Sequence, residues 1–218
     1  MTVSANESRR VFLLGAGGHA SVVLDLLLLL GSAPEGVIDK TQPPGGTWQG
    51  IPVLGDDSFF LETIPPGDAL LINGLGANPD CGARNRLYGL FKKRGYAFLT
   101  LRHPSAVISE RCLLREGAVI MAGAVVQSGT SIGENVVVNT SASIDHDCLI
   151  EDGAFISPGA VLCGSVAVRN GAFIGAGAVL LPGVEIGAGA TVGAGTVVTG
   201  NVLPGRTVVG VPARELSR

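Results

Sequence analysis

Charge is scarce in this chain. Asp, Glu, Lys and Arg together make up 15% of its 218 residues, and the net charge is −3. That balance gives no electrostatic footing for nucleic acid or an anionic membrane surface. Aromatic residues are equally sparse, at 5%. The four cysteines, Cys81, Cys112, Cys148 and Cys163, include no CxxC pair, and no histidine stands beside them at zinc-finger spacing. No metal site is expected, and a reduced cytoplasmic protein is the simple reading. The opening stretch MTVSANESRR lacks the apolar core of a signal peptide. Residues 22–30 are too short to span a bilayer and are interrupted by Asp25, so a buried helix is expected there and no membrane insertion.

Glycine, by contrast, is plentiful. There are 33 glycines, about twice the usual share, without a collagen-like period or a Ser-rich linker. Their placement follows a six-residue register. From Ile108 to Val198 every sixth residue is Ile, Leu or Val, sixteen times without a break. Four positions after each anchor comes another small or β-branched residue, from Cys112 and Ala118 to Val202. The position between, three after the anchor, is Gly ten times and Asn twice.

That register describes a coil with flat sides and tight corners. Each hexad supplies a short strand and a turn. The large aliphatic residue points inward, the small one fits where the walls converge, and Gly or Asn takes a positive φ at the corner. Three hexads close one triangular turn, so residues eighteen apart should stack. Residues 108–203 are therefore expected to form a parallel β-helix of about five coils. A β-sandwich gives no reason for a strict six-residue register.

The N-terminal third reads differently. The run Val11-Phe12-Leu13-Leu14 suggests a parallel strand buried on both faces. Gly15-Ala16-Gly17-Gly18-His19-Ala20 follows it, then an apolar helical stretch over 20–30 and a second strand, Gly36-Val37-Ile38, ending at Asp39. This is the strand, glycine loop, helix, strand and acid of a nucleotide-binding βαβ unit, including GxGxxA. Strands are also expected at 51–54, 69–72 and 96–101, with a helix over 83–94. A unit ending near Pro104 is too short for a complete dinucleotide fold, so a mononucleotide or nucleotide diphosphate suits it better than NAD. The glycine-rich loop 73–82 follows a strand, where α/β sheets place ligands; a plain surface loop is the alternative. The domain reading is 1–104 Rossmann-like, 105–204 β-helix and 205–218 C-terminal tail.

Three histidines are candidates for chemistry: His19, His103 and His146. Only His146 falls inside the repeat, two positions after Ile144 and hence at a corner, between Asp145 and Asp147. An imidazole flanked by carboxylates can be held in one tautomer and made a stronger base. Its stacking neighbours are Ser128 and Gly164, and Gly164 leaves room beside the ring and exposes an N–H suited to a developing oxyanion. A solvated corner histidine is the alternative. Asp147 stands where Gly or Asn usually stands, so it is also read as a turn residue tolerant of positive φ. His103 before Pro104 reads as structural, and His19 as a loop-shaping or phosphate-contacting residue.

With VFLLGAGGHA at the start, RHPSAVIS at the junction, NTSASIDHDCLIEDGAFISPGAVLCGSV in the repeat and VVGVPAR at the end, nearly the whole chain resembles one family. It comprises the sugar acetyltransferases typified by PglD of bacillosamine synthesis and the sialic acid O-acetyltransferases of the NeuD type. The resemblance implies a left-handed β-helix, an exception to the right-handed crossover rule, and a homotrimer. It implies acetyl-CoA as donor, and as acceptor a nucleotide-linked amino sugar or sialic acid. The family's general base falls on His146, its supporting acid on Asp147, and the amide facing the acetyl carbonyl on Gly164. Coenzyme contacts fall around Ala176 and Ala194, with GVPAR near the coenzyme. The nucleotide site falls on Gly17, Gly18, His19, Asp39, Lys40 and the 74–76 loop, Gly76 included. This sequence departs from the family pattern at Phe155, where a second histidine is frequent, and at Lys40, where PglD-like sequences carry a second acid.

The resulting expectation is an acetyl-CoA-dependent N-acetyltransferase acting on a nucleotide-linked 4-amino-4,6-dideoxyhexose by direct transfer. GDP-perosamine is the first acceptor to consider and a UDP-4-amino sugar the second. The rivals are O-acetylation of sialic acid or another sugar, and a binding protein whose glycine-rich unit senses a nucleotide. The His146-Asp147 pair beside Gly164 argues against binding alone.

Overall fold

A computed structural model describes residues 9–216; most of the stretch read for a signal peptide, residues 1–8, lies outside the described residues. The chain forms two compact units. One contains the described residues up to Gly76 together with Arg86–Leu99. The other contains Ala77–Asn85 and the described residues from Thr100 onward. The division after Leu99, the assignment of Ala77–Asn85 to the second unit and the inclusion of the C-terminal segment in it differ from the expected 1–104, 105–204 and 205–218.

The first unit is an α/β sheet with strands β1 (Arg10–Leu14), β2 (Gly36–Ile38), β3 (Thr47–Trp48), β4 (Ile51–Gly55), β5 (Ala69–Asn73) and β6 (Ala97–Phe98), in the order β3-β4-β2-β1-β5-β6. All neighbours are parallel except β3 and β4, which form a hairpin turning at Gln49-Gly50. β1 is central, and Phe12, Leu13 and Leu14 are buried, as a continuous apolar run predicts. Helix α1 (Gly18–Leu29) follows the glycine loop; α2 (Asp57–Thr63) is capped by Asp56, whose side chain accepts the Phe59 N–H; α3 spans Gly82–Lys93. The few aromatics concentrate here. Phe60 meets the ring of Phe12 edge-on at 4.9 Å, and Phe91 meets Tyr96 at 5.3 Å. The expectation of a buried helix over 22–30 needs correction. Val23, Leu24, Leu26 and Leu27 are buried, whereas Val22, Leu28, Leu29 and Leu30 are exposed. An apolar run longer than one helical face cannot bury every side chain against one sheet.

The second unit is the parallel β-helix. Two-residue strands recur every six residues from Val107–Ile108 to Val197–Val198, preceded by Leu101–Arg102. They stack into three walls, each strand pairing with the one eighteen residues on, as in Val119 with Val137, Ser143 with Val161 and Ile144 with Leu162. The first wall contains Phe155–Ile156, the second Ser143–Ile144 and the third Leu149–Ile150. Anchors from Ile120 to Val198 are buried in one continuous core, with Ala118, Ala142, Cys148 and their counterparts filling the converging corners. Each fully buried anchor contributes about 1.5–3 kcal/mol relative to an exposed one. Glycine does occupy positive φ at the corners, and Asn135, Ser141, Asp147 and Ser165 take φ of 55 to 60° in the same slot. Asn201 does not share that geometry. The last wall strand, Thr207–Val209, adds to the first wall, and Arg214–Glu215 turns back antiparallel on it.

Candidate active site and nucleotide cradle

His146 sits at the corner between the second and third walls, where Ile144 has just turned inward. Its Nδ1 lies 2.9 Å from Asp147 Oδ2, and its own N–H donates to Asp145 Oδ1 at 2.8 Å. Asp147 reaches the ring because its backbone takes φ 57°, the corner conformation that Asp tolerates better than most residues. The hydrogen bond from Asp147, followed by the charge of Asp145, raises the His146 pKa above its ordinary value. With Nδ1–H directed at the carboxylate, Nε2 is the nitrogen left to accept a proton.

Gly164 is the corner residue one coil on. A Cβ there would lie 2.6 Å from both Cε1 and Nε2 of His146. The imidazole edge that carries Nε2 therefore rests against the Gly164 backbone, which only glycine permits. Ser165 N–H donates to the His146 carbonyl at 2.9 Å and holds the two coils in this register. The three residues His146, Asp147 and Gly164 are thus brought together.

Ala176 and Ala194 lie elsewhere in the coil, exposed at the corner between the first and second walls, after Ile174 and Val192. Within one chain the second wall separates them from His146. Phe155 is buried rather than offered to solvent. It stacks on Phe173 at 5.8 Å, with the Arg84 guanidinium 5.8 Å over its ring. The position where a second histidine is frequent has become packing. His103, outside this site, keeps its Nδ1 within 3.0 Å of the Ser105 N–H and 2.7 Å of its hydroxyl.

In the α/β unit, Gly17 and Gly18 are exposed at the start of α1, and a Cβ on either would meet nothing within 4 Å. Asp39 closes the loop. Its Oδ2 accepts the Ala16 N–H at 2.8 Å, and its Oδ1 accepts the Thr41 N–H and hydroxyl at 2.7 and 2.6 Å. Desolvation raises the Asp39 pKa, but these hydrogen bonds outweigh it and the net shift is downward. Gly74 packs so closely that a Cβ would stand 2.8 Å from the Leu14 carbonyl and 2.9 Å from Ala20 Cβ, and one on Gly76 would stand 3.1 Å from His19 Cβ. So Gly17, Gly18, His19, Asp39 and Gly76 belong to one cradle at a helix N-terminus, with Lys40 exposed beside Asp39. No sequence signal pointed to Gln49, whose Nε2 donates to Ser21 Oγ at 2.7 Å and brings the β3–β4 hairpin to this helix. Among the described residues no group of His, Cys, Asp and Glu could hold a metal ion, and no helix is long and apolar enough to cross a membrane.

Comparison with known proteins bears on both units. Residues 10–88 match the PglD N-terminal domain, and residues 129–164 and 165–200 match the bacterial transferase hexapeptide (six repeats). No curated protein sequence matches. Among solved structures, the acetyltransferase domain of PglB from Neisseria gonorrhoeae, in complex with acetyl coenzyme A, is 34% identical with a TM-score of 0.87, covering 96% of this chain and 100% of that one. PerB from Caulobacter crescentus, in complex with CoA and GDP-perosamine, is 34% identical with a TM-score of 0.88, covering 95% and 97%. WeeI from Acinetobacter baumannii is 29% identical with a TM-score of 0.85, covering 95% and 100%. With a PglD N-terminal domain joined to hexapeptide repeats, and end-to-end likeness to acetyltransferases above 30% identity, the chain belongs to the PglD-type hexapeptide-repeat acetyltransferases and is an acyltransferase.

Proposed function

We propose that this protein transfers the acetyl group of acetyl-CoA to the amine of a nucleotide-linked 4-amino-4,6-dideoxyhexose, with GDP-perosamine the first acceptor to test and a UDP-4-amino sugar the second. The observation that carries the reading is the His146–Asp147 pair with its Nε2 edge against Gly164. His146 takes the proton that the attacking amine gives up as its C–N bond forms. Asp147 stabilises the imidazolium. The Gly164 N–H faces the oxyanion, and the thiolate of coenzyme A leaves as the tetrahedral centre collapses, taking the proton from His146. No acyl-enzyme is formed.

The nucleotide is held by Gly17, Gly18, His19, Asp39, Lys40 and Gly76, whose helix N-terminus favours a diphosphate. The coenzyme runs past Gly164, Ala176 and Ala194. Because Ala176 and Ala194 occupy a different corner from His146, this reading includes a left-handed homotrimer in which one copy's His146 corner faces its neighbour's Ala176 corner. The test is thiol release from acetyl-CoA across GDP-, UDP- and dTDP-linked amino sugars and sialic acid. Turnover of an amino sugar supports the proposal; turnover of sialic acid alone overturns it.

A further inference from the structure

Gly129 stands one coil before Asp147 at the same corner. A Cβ on Gly129 would sit 2.3 Å from Asp147 Oδ1 and 3.3 Å from its Cγ. No two such atoms can share that separation, so the carboxylate lies in the space that a side chain at 129 would fill. We infer that Gly129 is a positioning residue: its missing side chain is the seat that fixes the Asp147 carboxylate against His146 Nδ1. This rests on the reading of His146 and Asp147 as the working pair.

The other corners show that the seat is not a general requirement of the coil. Gly177, Gly183, Gly189 and Gly195 hold φ of 64 to 72° as Gly129 holds 77°, yet a Cβ on any of them would meet nothing within 4 Å. Their glycine serves the backbone alone. Nor does the backbone demand glycine, since Asn135, Ser141 and Ser165 occupy equivalent slots at positive φ. At Gly153 the space is taken as closely, by the Asn85 amide at 2.5 Å; what sets Gly129 apart is that its occupant is the carboxylate paired with His146. The clashing atom is the end of a short side chain, so a Cβ at 129 would be relieved by rotating the carboxylate. That rotation moves Oδ2 off Nδ1 and leaves the imidazole free to turn. Gly129 and Gly164 thus bracket the pair from the coils before and after it, one against the acid and one against the base.

The test compares full-length Gly129→Ala and Gly129→Asn with Gly189→Ala, which bears the same backbone strain in open space. Asn is included because Asn135 takes the same left-handed turn conformation at another corner of the coil. The readout is the NMR titration of the His146 ring, assigned by its loss in His146→Asn, together with thermal melting. Both Gly129 variants should lower the His146 pKa toward an ordinary imidazole, as Asp147→Asn does; the charge of Asp145 keeps part of the shift. Gly129→Ala combined with Asp147→Asn should lower it no further than Asp147→Asn alone. Gly189→Ala should melt like Gly129→Ala and titrate like the parent. The inference is overturned if His146 in the Gly129 variants titrates as in the parent, or if Asp147→Asn leaves that titration unchanged. The titration needs no acceptor. A shifted pKa in a protein that acetylates no sugar in the panel would support the seat and sink the proposed substrate instead.

Discussion

Arg84 donates from one nitrogen, Nη2, to two oxygens of Asn135, the carbonyl at 2.8 Å and the side-chain oxygen at 2.9 Å. Asn135 in turn donates to Asn85 Oδ1 at 2.9 Å, and Asn85 donates to the Gly153 carbonyl at 3.1 Å. The chain between 77 and 85 is thereby sewn to the corner of the β-helix between the third and first walls. Burial lowers the Arg84 pKa to about 10, so the guanidinium stays charged at neutral pH. Arg84→Met keeps most of the apolar stem but removes a charged donor, and hydrogen bonds of that kind contribute about 1.5–3 kcal/mol each. Thermal and urea unfolding should show a loss of that size. A melt unchanged within error would mean the contact adds nothing to stability.

The hexad register makes a sharper stability prediction at Ile156, which is fully buried in the core of the coil. Ile156→Asp places a carboxylate among Val138, Ile174 and their neighbours with no partner to pair it. Expression as insoluble protein, or a melting point lowered by many degrees, is the expected result. A melt within a degree or two of the parent would show that the inward column has been misassigned.

The same periodicity explains how much of the architecture could be read from residues alone. An inward anchor every sixth position, a converging small residue and a glycine corner are local signals repeated sixteen times, and each repeat confirms the last. His146 and Asp147 were visible for the same reason, as polar residues at corner positions of a regular pattern. The Gly129 seat was not, because it depends on which way the Asp147 side chain leans across eighteen residues. The Arg84–Asn135 contact was hidden too, being 51 residues apart in sequence. Strand β3 is only two residues long and carried no alternation to detect. Helix α2 did have a capping signal in Asp56, but with Phe59 and Phe60 adjacent it lacked a clear helical period.

The two kinds of glycine in the proposed nucleotide cradle should respond oppositely to alanine. Gly17 and Gly18 have open space where a Cβ would go, so the added methyls would intrude only on the volume proposed for the nucleotide. Gly18 is helical, where alanine is favoured by about 0.5–1 kcal/mol. Gly17→Ala and Gly18→Ala should therefore melt at or above the parent temperature and bind the nucleotide sugar at least several-fold more weakly by calorimetry. Gly74→Ala forces a methyl against the Leu14 carbonyl and Ala20, and should lower the melting temperature first. Unchanged affinity in both Gly17→Ala and Gly18→Ala would place the nucleotide elsewhere.

Removing the proposed base is the most direct test of the chemistry. A sugar amine must be neutral to attack a thioester, and its acidity rises steeply as the C–N bond forms. A neutral imidazole held through Nδ1 by Asp147 is matched to take that proton, and general-base catalysis of this kind contributes about 10²–10⁴-fold. His146→Asn should lower kcat by about that factor while leaving nucleotide-sugar affinity nearly intact, because the proposed diphosphate site is the glycine loop. The pH dependence has a definite sign. Asp147 and Asp145 raise the His146 pKa, so the active neutral form is lost as pH falls through that raised value, and kcat/KM should climb through it as pH increases. Asp147→Asn removes the larger cause and should move the limb toward lower pH, with a smaller loss of kcat than His146→Asn. Activity in His146→Asn above about a third of the parent's would hand proton removal to solvent or to the substrate's own phosphate, and His146 would become an ordinary corner residue.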